Sequence, residues 1–92
     1  MPYVVVAYDI TDNARRLRVA RVLRNALERV QRSVYEGELD LPHLKRLVEH
    51  IRPLINEEED TVRVYLLCST CQKRIQVIGQ GQVIKDPTVW II

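Results

Sequence analysis

The alternation of apolar and polar positions begins with an uninterrupted apolar run at the N-terminus. Residues 2–8 are all apolar or aromatic, and Asp9 follows them. A β-branched run of this kind predicts a central strand over about Tyr3–Asp9 that is covered on at least one face. Burying an unpaired carboxylate is costly, so we expect Asp9 at the rim of the sheet, where it meets a partner, caps a helix or binds a metal.

The residues after this strand have the 3.6-residue period of a helix that reaches roughly Leu27. Arg15 and Arg16 lie in its first turn, where the positive end of the helix dipole disfavours cations, so we expect an anionic group to compensate them. Its candidate N-caps are Thr11, Asp12 and Asn13. Its predicted apolar face comprises Val19, Val22, Leu23, Ala26, Leu27 and Val30.

A second helix is predicted to begin at Asp40, a capping residue, with Pro42 early in its first turn, where the missing N–H costs nothing. Pro53 should kink or end this helix near Arg52. The acidic residues 57–60 indicate a solvated loop after it. The predicted apolar face comprises Leu44, Leu47, Val48, Ile51 and Ile55.

Three further strands complete the pattern. Residues 30–39 predict a half-exposed strand in which Gly37 permits a bend or bulge. Residues 61–68 alternate clearly, and residues 74–78 form a last short strand that ends at Gly79. The order strand, helix, strand, helix, strand, strand is similar to that of a ferredoxin-like βαββαβ sandwich, an α+β fold in which both helices pack on one face of the sheet, and we predict this fold.

The chain of 92 residues has room for one core. We expect residues 1–79 to form the ferredoxin-like domain. The apolar tail, residues 80–92, is expected to add an extra C-terminal strand to its own sheet or to the sheet of a partner protomer. A second copy would also enlarge a modest core, which favours a homodimer.

The charge is uneven along the chain, although the net charge is only +2. Residues 1–37 carry seven arginines and four acids, residues 38–61 carry seven acids and three bases, and residues 62–92 carry four bases and one acid. Two basic ends around an acidic middle indicate a surface that could face phosphates. No stretch has the length of a membrane span, and no signal peptide is recognised, so we predict a cytoplasmic protein without a membrane partner.

The residues offer one candidate centre for chemistry. Asp9 is either a helix cap or a metal ligand, and one carboxylate is a thin site for Mg²⁺ unless a homodimer brings two copies of Asp9 together. Phosphodiester hydrolysis would then use metal-activated water. Tyr8 and Tyr35 are candidates for orienting phosphates or stacking on bases, although strand tyrosines are more often packing residues.

The arginines of the first helix are the candidate phosphate contacts, and a solvated helix surface is the alternative interpretation. Arg15 and Arg16, in the first turn of the helix, are close to Asp9, which favours the interpretation as phosphate contacts. The candidate residues are Arg15, Arg16, Arg18 and Arg21.

The cysteines, Cys68 and Cys71, lack the second pair of ligands that a zinc site needs, so they are expected to form a disulfide at a strand end or to be two free thiols. No glycine-rich phosphate loop, Ser-His-Asp set or HExxH motif is present.

Four stretches together resemble the CRISPR-associated Cas2 family, the small adaptation subunit that accompanies the Cas1 integrase. They are residues 3–10, ending in Tyr-Asp-Ile; residues 15–20, a basic helix start; residues 29–37, similar to an Arg-Val-Gln-x-Ser-Val-Phe-Glu-x segment; and residues 64–79. Tyr35 stands where the family usually has Phe. Ala26 stands near where a glycine commonly ends the first helix, which predicts a different end for that helix.

The resemblance implies a ferredoxin-like fold and a twofold homodimer whose C-terminal strand crosses to the partner's sheet. It also implies an endonuclease that depends on Mg²⁺ and acts on RNA or double-stranded DNA, with Asp9 of each protomer at the metal. The leading hypothesis is a CRISPR adaptation subunit that binds duplex DNA with a Cas1-type integrase and that cleaves phosphodiesters. The alternatives are a ferredoxin-like regulatory domain for a small ligand and a stand-alone, toxin-like ribonuclease.

Overall fold

The computed structural model describes residues 2–80, which build a four-stranded antiparallel sheet in the order β2-β3-β1-β4. The element order and the sheet order are those of the predicted ferredoxin-like α+β fold, which is confirmed. A single 3-10 turn, Arg52–Leu54, follows the second helix. The elements are β1 (Tyr3–Asp9), α1 (Asn13–Arg24), β2 (Glu28–Gln31), β3 (Val34–Glu38), α2 (Leu41–Ile51), β4 (Thr61–Leu67) and the short α3 (Ser69–Gln72).

The main core lies between the sheet and the first two helices. Successive strand residues point to opposite faces of the sheet, so every second residue of β1 enters this core. Val4, Val6 and Tyr8 of β1 belong to this core. Val19 and Leu23 of α1 are fully buried in it. The buried residues of α2 are Leu44, Leu47 and Ile51, as the helical period predicts.

The other face of the sheet, which we call the outer face, carries the remaining residues of β1. Tyr3, Val5, Ala7 and Asp9 share it by the alternation of the strand. Tyr3 is fully buried there, and its hydroxyl donates to Glu36 Oε1 at 2.9 Å. The outer face is therefore apolar near the start of β1 and carboxylate-bearing at its end.

Both long helices begin at predicted caps. The Asp12 carboxylate accepts from the backbone N–H of Arg15 at 2.9 Å, and the Asp40 carboxylate accepts from that of His43 at 2.9 Å. The end of α1 differs from the prediction, because the helix stops at Arg24 instead of reaching Leu27. Its C-cap keeps a right-handed backbone with φ of −75°, so no glycine is needed there, and Ala26 is exposed.

The single strand predicted over residues 30–39 is wrong, because the structure has a hairpin of β2 and β3 in its place. The register shift lies between Arg29 and Gln31 in β2, and Gly37 pairs regularly with Val4. A Cβ at Gly37 would lie 3.1 Å from Leu27 Cδ2. The glycine therefore permits the close approach of Leu27, and the expected bend at Gly37 is not observed.

The strand predicted over residues 74–78 is also wrong, since this segment joins no sheet. After α3 it runs along the outer face, where Ile75 and Val77 pack with Tyr3. Its alternating apolar residues therefore serve packing without a ladder of hydrogen bonds. The predicted tail strand, residues 80–92, lies outside the described residues except for Gln80. No helix within the described range is long and apolar enough to cross a membrane.

Candidate nucleic-acid and metal site

A cleft of about 540 Å³ lies where the end of β1, the start of α1 and the turn between β2 and β3 meet. Four arginines and one carboxylate line it, so its charge is strongly positive. A concave surface of net positive charge concentrates anionic ligands. The charged lining residues are Asp9, Arg16, Arg24, Arg29 and Arg32, and the others are Tyr8, Ile10, Leu17, Ala20 and Ser33.

Asp9 is exposed at the end of β1, opposite Thr61 of β4. Asp12 caps α1, so the interpretation of Asp9 as the helix cap is wrong. Within residues 2–80 the carboxylate of Asp9 enters no hydrogen bond or ion pair. Its oxygens are thus available to a ligand from solvent.

One chain offers Mg²⁺ few ligands. Among the described residues no group of three or more His, Cys, Asp and Glu side chains could hold a metal ion. Mg²⁺ commonly binds one or two carboxylates and completes its shell with waters and substrate phosphates. The free carboxylate of Asp9 beside a phosphate-attracting cleft fits that pattern.

Arg16 is held at the cleft by its own contacts. One guanidinium nitrogen donates to the carbonyl oxygen of Ile10 at 2.9 Å, and another donates to Asn13 Oδ1 at 2.8 Å. These acceptors are neutral, so the positive charge of Arg16 is not compensated by them. The guanidinium is therefore pre-organised in the cleft that Asp9 also lines, which lowers the entropy that a phosphate contact would cost.

Arg15 points to a different partner, although it is adjacent to Arg16 in the sequence. Its guanidinium donates to both carboxylate oxygens of Asp60, at 2.8 and 3.3 Å. Asp60 is only 4% exposed, so the loop predicted to be solvated contains a buried acid. Asp60 is the anionic group expected to compensate the first turn of α1. Arg15 is thus paired with an acid and does not line the cleft, and its predicted phosphate contact stays a prediction.

The pairing changes the titration of Asp60. The hydrogen bond from Arg15, with a second from the backbone N–H of Asn56 at 2.9 Å, lowers the pKa of Asp60 below its ordinary value. A lowered folded-state pKa means that the carboxylate stabilises the fold at any pH above its unfolded pKa of about 3.9. This stabilisation is lost as the pH falls through the folded-state pKa.

Asp60→Asn is therefore expected to lower the unfolding midpoint clearly at pH 7, since the variant leaves Arg15 without its carboxylate. The difference from the wild type should shrink when both proteins are unfolded at pH 3, because the carboxylate of the unfolded wild type is then largely protonated and must lose its proton to form the ion pair. Urea titrations at the two pH values measure this. Glu58→Gln in the same loop is the control, and its free energy of unfolding should stay within about 0.5 kcal/mol of the wild-type value at both pH values. An equal Asp60→Asn effect at both pH values would contradict the ion-pair explanation.

The predicted arginines separate into two groups. Arg18 and Arg21 are exposed on α1 and do not line the cleft, whereas Arg16 does. Sequence reasoning did not select Arg24, Arg29 and Arg32, which line the same cleft as Asp9. The one local signal was their concentration, with the other arginines, in residues 1–37.

The two candidate tyrosines stack on each other, with ring centroids 6.3 Å apart and an interplanar angle of 24°. Burial and the neighbouring Tyr35 raise the pKa of Tyr8 above its ordinary value. Tyr8 is 8% exposed and lines the cleft. Tyr35 is fully buried, so it has no ring face available to a base, and its predicted stacking role is corrected to core packing.

Comparison with known proteins agrees with this geometry. The family model described as CRISPR associated protein Cas2 matches residues 1–75. The chain is 39% identical over 80 residues to "CRISPR-associated endoribonuclease Cas2 1" of Chloroflexus aurantiacus, which covers 86% of each protein.

Two solved structures are similar in fold. The crystal structure of Streptococcus pyogenes Cas2 has a TM-score of 0.74 and 28% identity, covering 84% of this chain and 99% of that one. A structure described as a partial Cas6-RT-Cas1–Cas2 complex also has a TM-score of 0.74 and 29% identity, and the match covers 94% of this chain and 99% of that one. The family match, the identity and the fold agree: the chain belongs to the CRISPR-associated protein Cas2 family.

Proposed function

We propose that this chain is a CRISPR adaptation subunit. In this proposal it forms a homodimer, binds duplex DNA together with a Cas1-type integrase, and hydrolyses phosphodiesters of RNA or double-stranded DNA at Asp9 with Mg²⁺. The observation that carries the proposal is the cleft that places Asp9 among four arginines. A relative named as an endoribonuclease and a similar structure that contains Cas1 support it.

The cleft matches a phosphodiester backbone by its charge. Arg24, Arg29 and Arg32 line the same cleft as Asp9 and form no ion pair that would neutralise them within residues 2–80. Arginine suits phosphate because its planar guanidinium can donate two parallel hydrogen bonds. Contacts of this kind carry affinity without reading the base sequence, as a subunit that handles many different DNA segments requires.

The outer face of the sheet supports a homodimer. Val5 and Ala7 are half-buried on it, and the neighbouring Tyr65 of β4 is 47% exposed. Large aromatic and apolar residues left on one sheet face are commonly covered by another protein surface. Asp9 lies on the same face as Val5 and Ala7, so two copies packed through this face would both direct an Asp9 carboxylate towards their interface.

The edge of β4 supports the proposed role of the C-terminal tail. Val64 and Leu66 are exposed on this edge strand, and an apolar cavity of about 340 Å³ lies between β4 and α2, lined in part by Leu47 and Ile51. An open edge next to apolar side chains favours the addition of a strand. We propose that residues 80–92 of the partner protomer supply it.

At the proposed centre, Asp9 would hold Mg²⁺ together with waters and the scissile phosphate. The ion would supply a bound water of lowered pKa. Arg16 would orient the phosphate, since its guanidinium is fixed by Ile10 and Asn13. The other cleft arginines would offset the charge that develops on the phosphate oxygens and keep the neighbouring nucleotides in place.

Of the two alternatives, the family assignment sets aside the small-ligand regulatory domain. The stand-alone ribonuclease shares the fold and the chemistry, and it differs in having no integrase partner. Assembly with a Cas1-type integrase on duplex DNA therefore separates it from the adaptation subunit.

Light scattering of the chain with a short duplex, with and without the integrase, tests this proposal. We expect two copies of the chain per complex and a larger assembly when the integrase is added. The logarithm of the duplex affinity should fall linearly with that of the salt concentration, because binding releases counterions. A monomer, or an affinity that does not change with salt, would contradict the proposal.

A further inference from the structure

Two thiols lie together at the end of β4 that is remote from the cleft. Cys68 follows β4 directly, Cys71 lies in α3, and both are free and exposed. Asp9 pairs with Thr61 at the other end of β4, about 20 Å away at the rise of a strand. The proposed nuclease therefore makes no use of the two thiols.

The backbone holds the two thiols next to each other. The backbone N–H of Cys71 donates to Cys68 Sγ at 3.4 Å, and that of Gln72 donates to the carbonyl oxygen of Cys68 at 2.9 Å. Gln72 is buried, which anchors the turn against the sheet. The start of α3 thus places Cys71 beside Cys68, with the backbone N–H of Cys71 in contact with the Cys68 sulfur.

The two thiols differ in acidity. The N–H of Cys71 lowers the pKa of Cys68, because it stabilises the thiolate. The neighbouring Cys68 raises the pKa of Cys71. A thiol of lowered pKa beside one of raised pKa is the arrangement that suits an attacking and a resolving cysteine.

A metal is a poorer explanation of the pair. A structural zinc site needs four ligands, and within the described part of the chain no third His, Cys, Asp or Glu joins the two cysteines. A C-x-x-C sequence placed between a strand and a helix is a common site of thiol–disulfide exchange.

We propose that Cys68 and Cys71 form a redox-active dithiol that exchanges with low-molecular-weight disulfides such as glutathione disulfide. The Cys68 thiolate attacks one sulfur of glutathione disulfide, the S–S bond breaks, and one glutathione leaves and takes up a proton. Cys71 then loses its proton and attacks Cys68 Sγ, which expels the second glutathione. Two protein thiols are oxidised to one disulfide, and one glutathione disulfide is reduced to two glutathiones.

The test treats the reduced, full-length protein with glutathione disulfide at pH 7, stops the reaction with acid and determines the products by mass spectrometry. The wild type should lose two hydrogens and retain no glutathione. Cys71→Ser keeps the backbone N–H at position 71, so it should trap one glutathione on Cys68. Cys68→Ser should react more slowly, because the thiol that remains lacks the backbone N–H that lowers the pKa of Cys68, and a lower pKa ionises a thiol more than it weakens it as a nucleophile.

Three results would overturn the proposal: glutathione retained by the wild type, disulfides between chains in place of the internal one, or equal rates in the two single variants. Both positions are exposed, so the serine variants should fold, and thermal unfolding checks this. Trapping on Cys71 in preference to Cys68 in a wild-type sample stopped early would contradict the order of attack. The reaction involves no nucleic acid, so its outcome is independent of the proposed nuclease.

Discussion

Asp9→Asn is expected to reduce Mg²⁺-dependent cleavage of RNA or duplex DNA more than about 100-fold. Loss of a residue that only hydrogen-bonds to a metal ligand commonly costs about 10- to 100-fold, and loss of the ligand itself should cost more. The substitution removes the one carboxylate of the cleft and its negative charge. It keeps the size of the side chain. Because Asp9 is exposed and caps no helix, the free energy of unfolding should change by less than about 0.5 kcal/mol.

The matched control is Asp12→Asn, the same substitution at the carboxylate that caps α1. Asparagine caps a helix about as well as aspartate, so this variant should cleave like the wild type. Labelled RNA and duplex DNA, each with Mg²⁺ and with a chelator, provide the measurement. Wild-type activity in Asp9→Asn would place the chemistry elsewhere. Absence of cleavage in every protein, with duplex binding intact, would leave an adaptor without nuclease activity.

The double charge reversal Arg29→Glu with Arg32→Glu is expected to weaken duplex binding about 100-fold or more at low salt. In a plot of the logarithm of the affinity against that of the salt concentration, each lost phosphate contact should also make the slope shallower by about one unit. These two arginines are preferred to Arg16, which donates to Ile10 and Asn13, so that its replacement would also disturb the chain around the cleft.

The matched control is Arg18→Glu with Arg21→Glu on the exposed surface of α1, outside the cleft. Both pairs change the net charge of the chain by −4, so their long-range effects on a polyanion are similar. The excess effect of the cleft pair then measures direct phosphate contact. Duplex affinity measured over a range of salt concentrations for both double variants shows which pair contacts the phosphates. An equal or larger loss in the α1 pair would show that the phosphates follow the helix surface instead of the cleft.

Some of the fold could be predicted from the sequence because it depends on neighbouring residues. The apolar run before Asp9 defines β1, and the 3.6-residue period defines α2 and most of α1. Asp12 and Asp40 each cap a helix by accepting from the backbone N–H three residues further along the chain, so the capping can be predicted from the local sequence. The resemblance to Cas2 covered the same stretches and indicated the family that the comparisons confirm.

The errors arose where a local pattern is compatible with two structures. Alternation over residues 30–39 looks the same whether the chain continues as one strand or turns back at Arg32 and Ser33 to form the β2–β3 hairpin. Likewise, Ile75 and Val77 alternate with polar residues, yet they pack on Tyr3 without joining the sheet. Partners elsewhere in the fold decide between these outcomes.

The candidate site divides in the same way. Asp9 was predictable, because a carboxylate at the end of a buried strand stands out from its neighbours. The partner of Arg15 was not, since Asp60 is 45 residues away and meets it only in the folded chain. Arg24, Arg29 and Arg32 line the same cleft as Asp9 because the hairpin and the end of α1 converge on one end of β1. Short-range rules of period, capping and burial thus determined most of the elements and the acidic residue, whereas the tertiary structure decided that Arg15 pairs with Asp60 and that four other arginines line the cleft.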